Sequence, residues 1–216
     1  MYRHILFDLD GTLTAPFEGI TNSVVHALRY FGIEIKDKKE LRCFIGPPLT
    51  ESFTKYFGLS DSDAKKAVDV YREHFGVKGL FENELYEGIP EMLEKLKGQG
   101  KTVIMATSKP EVYARRIAEH FDIAKYFDYM AGSELDGRRI AKNEVIEYAL
   151  ESLHITDREN CLMIGDRKHD IIGAKKTGMA SLGVLYGYGS YEELSEAGAD
   201  RIVGSVSEIC DVACGN

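Results

Sequence analysis

The chain has 216 residues, 44% hydrophobic and 29% charged, with 27 basic against 35 acidic side chains and a net charge of −8. That length supports one or two domains with a sizeable buried core, and the composition excludes a low-complexity or disulfide-stapled chain. The negative balance argues against a nucleic-acid polymer or an anionic membrane surface as partner.

No apolar run approaches the roughly 18 residues that a spanning helix needs, and the N-terminus enters a strand directly, without the pattern of a signal peptide. Cys43, Cys161, Cys210 and Cys214 lack paired CxxC spacing. Reduced thiols in a cytoplasmic protein are therefore expected, as a monomer or homodimer.

The apolar run Ile5-Leu6-Phe7 reads as a buried first strand, and it ends in Asp8-Leu9-Asp10-Gly11-Thr12. Strand alternation points Asp8 and Asp10 to one side and Leu9 to the other. Gly11 permits a sharp turn with exposed backbone N–H groups. Such a tip suits a metal, a nucleophile and a phosphate, although Asp-Gly is also ordinary turn chemistry.

Helical spacing then takes over. Ile20, Val24, Ala27/Leu28 and Phe31 recur on one face and stop before Gly32; Leu49, Phe53 and Tyr56/Phe57 stop at Gly58. Ala64, Ala67/Val68, Tyr71 and Phe75 make a third helix, with Ser60 or Asp61 as N-cap. With no strand signal between 14 and 85, residues 15–85 read as a helical module inserted into a core of residues 1–14 and 86–216.

After this block, strands alternate with helices. A helix opens at Pro90 and stops near Gly98-Gln99-Gly100, the strand Thr102–Thr107 follows, and Pro110 starts a helix to about Phe121. Tyr126–Ala131 reads as a strand, residues 143–153 as a helix, Cys161–Ile164 as a strand and residues 170–177 as a helix. The strand Ala180–Leu185, a short helix from Tyr191, the strand Arg201–Val203 and a helix from Ser207 complete the chain. This alternation implies an α/β fold: a doubly wound, mostly parallel, Rossmann-like sheet whose ligands bind beyond the carboxyl ends of the strands.

Three strand ends carry polar clusters that should converge: Asp8–Thr12, Thr107-Ser108-Lys109 and Gly165–Asp170. A hydroxyl at Thr107 or Ser108, beside the Pro110 helix, could hold a phosphate oxygen, while Ser108 reads equally as a plain N-cap. Asp166 and Asp170 lie one helical turn apart and, with Asp8, suit a hard cation such as Mg²⁺. Lys142, otherwise an ordinary solvated lysine, would supply counter-charge to these acids and a phosphate dianion.

DLDGT, a hydroxyl at the second strand tip, a lysine and then GDxxxD, in this order, resemble the haloacid dehalogenase superfamily. The helical block resembles that superfamily's small alpha-helical cap. Phe44-Ile45-Gly46-Pro47-Pro48-Leu49 is similar to phosphoglycolate phosphatase-like members, a group that also contains pyrophosphatases and 5′-nucleotidases.

The resemblance implies a hydrolase of small phosphorylated metabolites, most simply phosphoglycolate phosphatase-like, with Mg²⁺ as cofactor. It implies Asp8 as the nucleophile that becomes an aspartyl-phosphate and Asp10 as general acid and base. Lys142 would neutralise charge, while Thr107 and Ser108 bind the phosphoryl group together with the Gly11 and Thr12 backbone. Asp8, the Asp10 carbonyl, Asp166 and Asp170 would hold the metal. After Lys142 the chain departs from the commoner lysine-proline, having Asn143-Glu144.

A cap closing over the site would set specificity through Arg42, Phe44, Gly46 and Pro47. Arg42 would meet an anion and Phe44 a base, although Phe44 reads equally as cap core. Lys55, Lys109, Arg115, Arg116, Arg138 and Arg139 are further candidates for contacts to an anionic substrate. A sugar phosphomutase is disfavoured because Thr14-Ala15-Pro16-Phe17 offers no acid–base residue. A dehalogenase does not need Asp10, and a catalytically silent phospho-ligand-binding protein would not need the complete set.

Overall fold

The structure, a computed structural model, describes residues Met1–Gly215. They divide into two compact units, one of Met1–Ala15 with Leu85 onward and one of Pro16–Glu84.

In the larger unit, β1 (His4–Phe7), β2 (Thr102–Pro110), β3 (Tyr129–Ser133), β4 (Cys161–Gly165), β5 (Ala180–Val184) and β6 (Arg201–Val203) form one sheet. Its order is β3-β2-β1-β4-β5-β6, and every neighbouring pair is parallel. In this order the connections reverse direction at β1, so the crevice for ligands opens there, between β1 and β4.

The strands form because their residues are apolar on both faces, as a sheet covered on both sides requires. Leu6, Ile104, Ala106 and Met163 pack with Val145, Ile146, Ala149 and Leu150, which lie on the helix Lys142–Ser152. In β1, Ile5 and Phe7 point the opposite way and are equally closed to solvent.

The larger unit carries six helices among its described residues. They are numbered here after three in the smaller unit: α4 (Ile89–Gly98), α5 (Glu111–His120), α6 (Lys142–Ser152), α7 (Lys168–Lys176), α8 (Tyr191–Ala197) and α9 (Val206–Cys214). The smaller unit is α1 (Phe17–Tyr30), α2 (Leu49–Phe57) and α3 (Asp61–His74), with no strand among its residues. Gly58 ends α2 at φ +64°, and Ser60 caps α3 by accepting the Asp63 N–H. A 3-10 turn at Lys38–Phe44 and a π turn at Phe75–Gly79 carry no periodic signal in the sequence.

Two boundaries lie three residues from expectation, and several others differ by one or two. The third strand begins at Tyr129, because pairing with β2 starts at Ile104–Tyr129, while Ala124–Tyr126 closes a 3-10 turn instead. The second strand runs past Thr107 to Pro110, with a register shift against β3 between Ala106 and Pro110. No helix among the described residues is long and apolar enough to cross a membrane.

Candidate active site

The register places Phe7 opposite both Met105 and Ile164, so the tips of β2, β1 and β4 end side by side. Asp8 leaves β1 with its N–H on the Ile164 carbonyl at 2.9 Å, which sets it against Gly165 and Asp166. Asp8, Asp166 and Asp170 are all buried, and each places a carboxylate oxygen within 4.8 Å of the others. The convergence expected from the motifs is therefore present in space.

Lys142, at the first turn of α6, enters this cluster. Its ammonium lies 2.8 Å from Oδ1 of Asp8 and 2.9 Å from Oδ1 of Asp170. Its aligned hydrogen bond goes to the Ala106 carbonyl at 3.0 Å, so the two carboxylates meet it as ionic contacts, not as aligned acceptors. Glu144 takes up the departure from lysine-proline by accepting the Ala141 N–H at 3.2 Å across the start of α6.

One cation cannot offset three buried acids. Burial, then the charges of Asp170 and Asp8, push the Asp166 carboxyl up to about 8. Burial also raises Asp170 against the pull of Lys142, with Asp8 adding to the rise. For Lys142, burial works against the charge, but Asp170 and Asp8 more than reverse it and hold its pKa above the ordinary lysine value.

The cluster is short of positive charge, and the buried Oδ1 atoms of Asp8 and Asp170 share the one Lys142 ammonium without an aligned hydrogen bond. Hard oxygen donors in this state fit a divalent cation.

Asp166 is held firmly. Its Oδ2 accepts the Tyr188 N–H at 2.8 Å, and its Oδ1 accepts the Thr12 hydroxyl at 3.4 Å. Gly11 sits at φ +88°, and a Cβ there, or at Gly187, would overlap the Asp166 carboxylate. Asp170 reaches back to the Arg167 N–H at 3.1 Å and so caps α7 while facing Lys142.

Asp10 has a separate partner. Its Oδ2 lies 2.6 Å from the Lys109 ammonium, both side chains are largely buried, and its Oδ1 is buried without a hydrogen-bond partner. Burial raises the Asp10 carboxyl above its ordinary value, Lys109 opposes this, and the nearby Asp8 charge adds to it. Asp8 and Asp10, two residues apart, thus stand in different surroundings.

Several expectations need correction. The N–H of Gly11 is taken by the Thr14 carbonyl at 2.7 Å and that of Thr12 by the Leu9 carbonyl at 3.3 Å, while the Thr12 hydroxyl serves Asp166. These groups brace the turn and are not presented to an anion.

Ser108 is not an N-cap: it lies within β2, and Pro110 precedes α5 without a side-chain cap. The buried Thr107 hydroxyl accepts the Lys109 N–H at 3.2 Å, which leaves its own proton to donate. In the helical unit Phe44 is 1% exposed and packs its ring on Phe53, Tyr56 and Phe57, so it is core and not a base-stacking surface. Arg42 and Gly46 are exposed there, and Pro47 is half-buried.

Two features escaped the sequence. Lys109 was only one of six candidate anion contacts. The strand expected to reach Leu185 ends at Val184, and the loop at 186–190 carries no expectation from the sequence. There the Tyr186 hydroxyl donates to the Thr12 carbonyl at 2.9 Å, and Tyr188 holds Asp166. Alternating Tyr and Gly directly beyond a parallel strand end was the available signal.

The fold, with the comparisons that follow, marks the chain as a hydrolase acting on phosphoesters. The family model for haloacid dehalogenase-like hydrolases matches residues 5–184, and the chain belongs to that family. A 5′-nucleotidase of Pseudomonas aeruginosa is 52% identical over 193 residues, which cover 89% of this chain and 87% of that protein. A phosphoglycolate phosphatase of Vibrio parahaemolyticus is 30% identical over 216 residues, covering 96% and 94%. The crystal structure of a predicted phosphatase from Clostridium acetobutylicum superposes with a TM-score of 0.96 at 48% identity, covering 100% of each chain.

Proposed function

We propose that this phosphatase hydrolyses small phosphomonoesters, nucleoside 5′-monophosphates first among them, through an aspartyl-phosphate on Asp8 with Mg²⁺ as cofactor. The observation that carries the mechanism is the division of labour between two acids. Asp8 lies among Lys142, Asp166 and Asp170, whereas Asp10 stands apart on Lys109.

Mg²⁺ would be held by Asp8, Asp166, Asp170 and the Asp10 backbone carbonyl, and when bound it would neutralise charge on the transferring phosphoryl group. Asp8 attacks phosphorus while the bond to the leaving oxygen breaks. Asp10 gives that oxygen its proton and then, as carboxylate, takes one from the water that cleaves the acyl phosphate. Lys142 remains beside Asp8 throughout, and the Thr107 hydroxyl donates to a phosphoryl oxygen.

For the substrate, the 52% identity to a 5′-nucleotidase outweighs the 30% identity to a phosphoglycolate phosphatase and reverses the order that the motifs alone suggest. The exposed Arg42 and Gly46 and the half-buried Pro47 remain the proposed specificity residues of the helical unit. The test is phosphate release from a panel of nucleoside monophosphates, phosphoglycolate, sugar phosphates and pyrophosphate, with and without Mg²⁺. A kcat/KM highest on a nucleoside monophosphate supports the reading. Preference for phosphoglycolate or pyrophosphate would overturn the substrate assignment, and release independent of Mg²⁺ would overturn the cofactor.

A further inference from the structure

We infer that Lys109 is a positioning residue for Asp10: it holds Oδ2 of the carboxyl group so that Oδ1 is the oxygen that exchanges protons with the substrate. The inference rests on the reading of Asp10 as general acid and extends it to a residue with no role so far.

The geometry is specific. The Lys109 ammonium is 2.6 Å from Oδ2, with the two side chains 6% and 14% exposed, while Oδ1 is buried with no hydrogen-bond partner. A carboxyl group with one oxygen held and the other unpaired has lost the freedom to turn about its last torsion. The oxygen left unpaired is the one available for transfer.

The backbone that carries Lys109 is fixed as well. Its N–H is spent on the Thr107 hydroxyl at 3.2 Å, and the register between β2 and β3 shifts across this stretch. Gly132 on β3 lies so close that a Cβ there would come within 2.6 Å of the Lys109 carbonyl oxygen. A strand irregularity specified on both strands re-aims a side chain, as bulges beside active sites do. An exposed ion pair would contribute little and need no such support. This buried pair is held at the strand tip beside the acids of the site.

The proton balance follows. Oδ1–H gives its proton to the leaving oxygen as the bond from phosphorus to oxygen breaks, and Asp10 becomes a carboxylate beside the Lys109 cation. In the second half-reaction Oδ1 takes a proton from water as the water oxygen attacks phosphorus and the bond from phosphorus to Asp8 breaks, which returns Asp8 as a carboxylate. Lys109 neither gains nor loses a proton in either step.

The test uses the full chain carrying Lys109→Met, Lys109→Arg, Asp10→Asn and the Lys109→Met/Asp10→Asn pair. Steady-state hydrolysis of p-nitrophenyl phosphate with Mg²⁺ is measured beside thermal unfolding. Lys109→Met is expected to lower kcat by about 10- to 100-fold, the scale of a misplaced catalytic group, with KM held within about twofold and partial recovery in Lys109→Arg. In the Asp10→Asn background the same change should cost nothing further, since it acts through the group already removed.

An unchanged kcat in Lys109→Met, or effects that multiply in the double variant, would overturn the inference. So would a raised KM at constant kcat, which would make Lys109 a direct phosphate contact. Where Lys109→Met does not fold, Lys109→Gln gives the same readings. Full activity in Asp10→Asn would instead remove the general-acid reading itself, which separates the two failures.

Discussion

At the tips of β1, β2 and β4 the larger unit buries Asp8, Asp166, Asp170 and Lys142, whereas the helical unit buries Phe44, Phe53, Tyr71 and Phe75. Buried acids raise one another's pKa and cost stability unless paired, so a fold keeps such a cluster for chemistry. Packed aromatic rings contribute stability through burial and edge-to-face contact, such as Phe44 on Phe53 with centroids 5.0 Å apart. Of the helical unit's buried hydroxyls, Thr21 donates to the Phe17 carbonyl and Ser23 to that of Gly19, each within α1, while that of Ser52 has no hydrogen-bond partner. One unit therefore stores reactive charge, and the other stores folding energy and leaves Arg42 and Gly46 exposed.

Substitutions should separate accordingly. The largest effect is expected from Asp8→Asn, which should bring phosphate release below detection while circular dichroism and thermal unfolding stay native. Residual full turnover would break the assignment of reactive charge to the strand tips. Asp10→Asn should slow turnover by about 10²- to 10⁴-fold, the scale of general acid–base catalysis, and rapid-quench sampling would show whether both half-reactions slow.

Phe44→Ala should act in the opposite way and destabilise by about 3–5 kcal/mol, as large-to-small changes in a core do. Denaturant unfolding would measure this. If stability held while the substrate ranking changed, Phe44 would belong to recognition after all.

The smallest expected effect is a pH dependence. Asp166, raised to about 8 chiefly by burial, is neutral below that pH in the metal-free protein. An acid raised in the fold makes the metal-free protein less stable as pH climbs from the ordinary carboxylate range to about 8, and a cation displaces the proton. The rise in melting temperature on adding Mg²⁺ should therefore grow between pH 6 and 8. A constant increment across that range would mean that Asp166 is already ionised.

Much of the catalytic unit was legible because its signals are local. Apolar runs ending in Asp8 and in Asp166 mark strand tips, and the Tyr191–Ala197 helix and Arg201–Val203 strand fall at their expected boundaries. The parallel order follows from the alternation of strand and helix. Phe44 was ambiguous because a core aromatic and a ligand-facing one share the same local pattern. The 3-10 turn that carries it has no period to read.

By itself the sequence determined the α/β class and singled out a helical insertion and Asp8, Asp10 and Asp166 as candidates, because these announce themselves by neighbours a few positions away, while Lys142 became a candidate only through the order of the motifs. Tertiary structure alone decided where the donors go. The Gly11 and Thr12 N–H groups close their own turn, the Thr12 hydroxyl and Tyr188 N–H hold Asp166, and Lys109 rather than any near neighbour in sequence meets Asp10. Hydrogen bonds and ion pairs depend on distances of about 3 Å, and residues 99 or 154 positions apart, like Asp10 with Lys109 and Thr12 with Asp166, reach that distance only once the sheet has set its register.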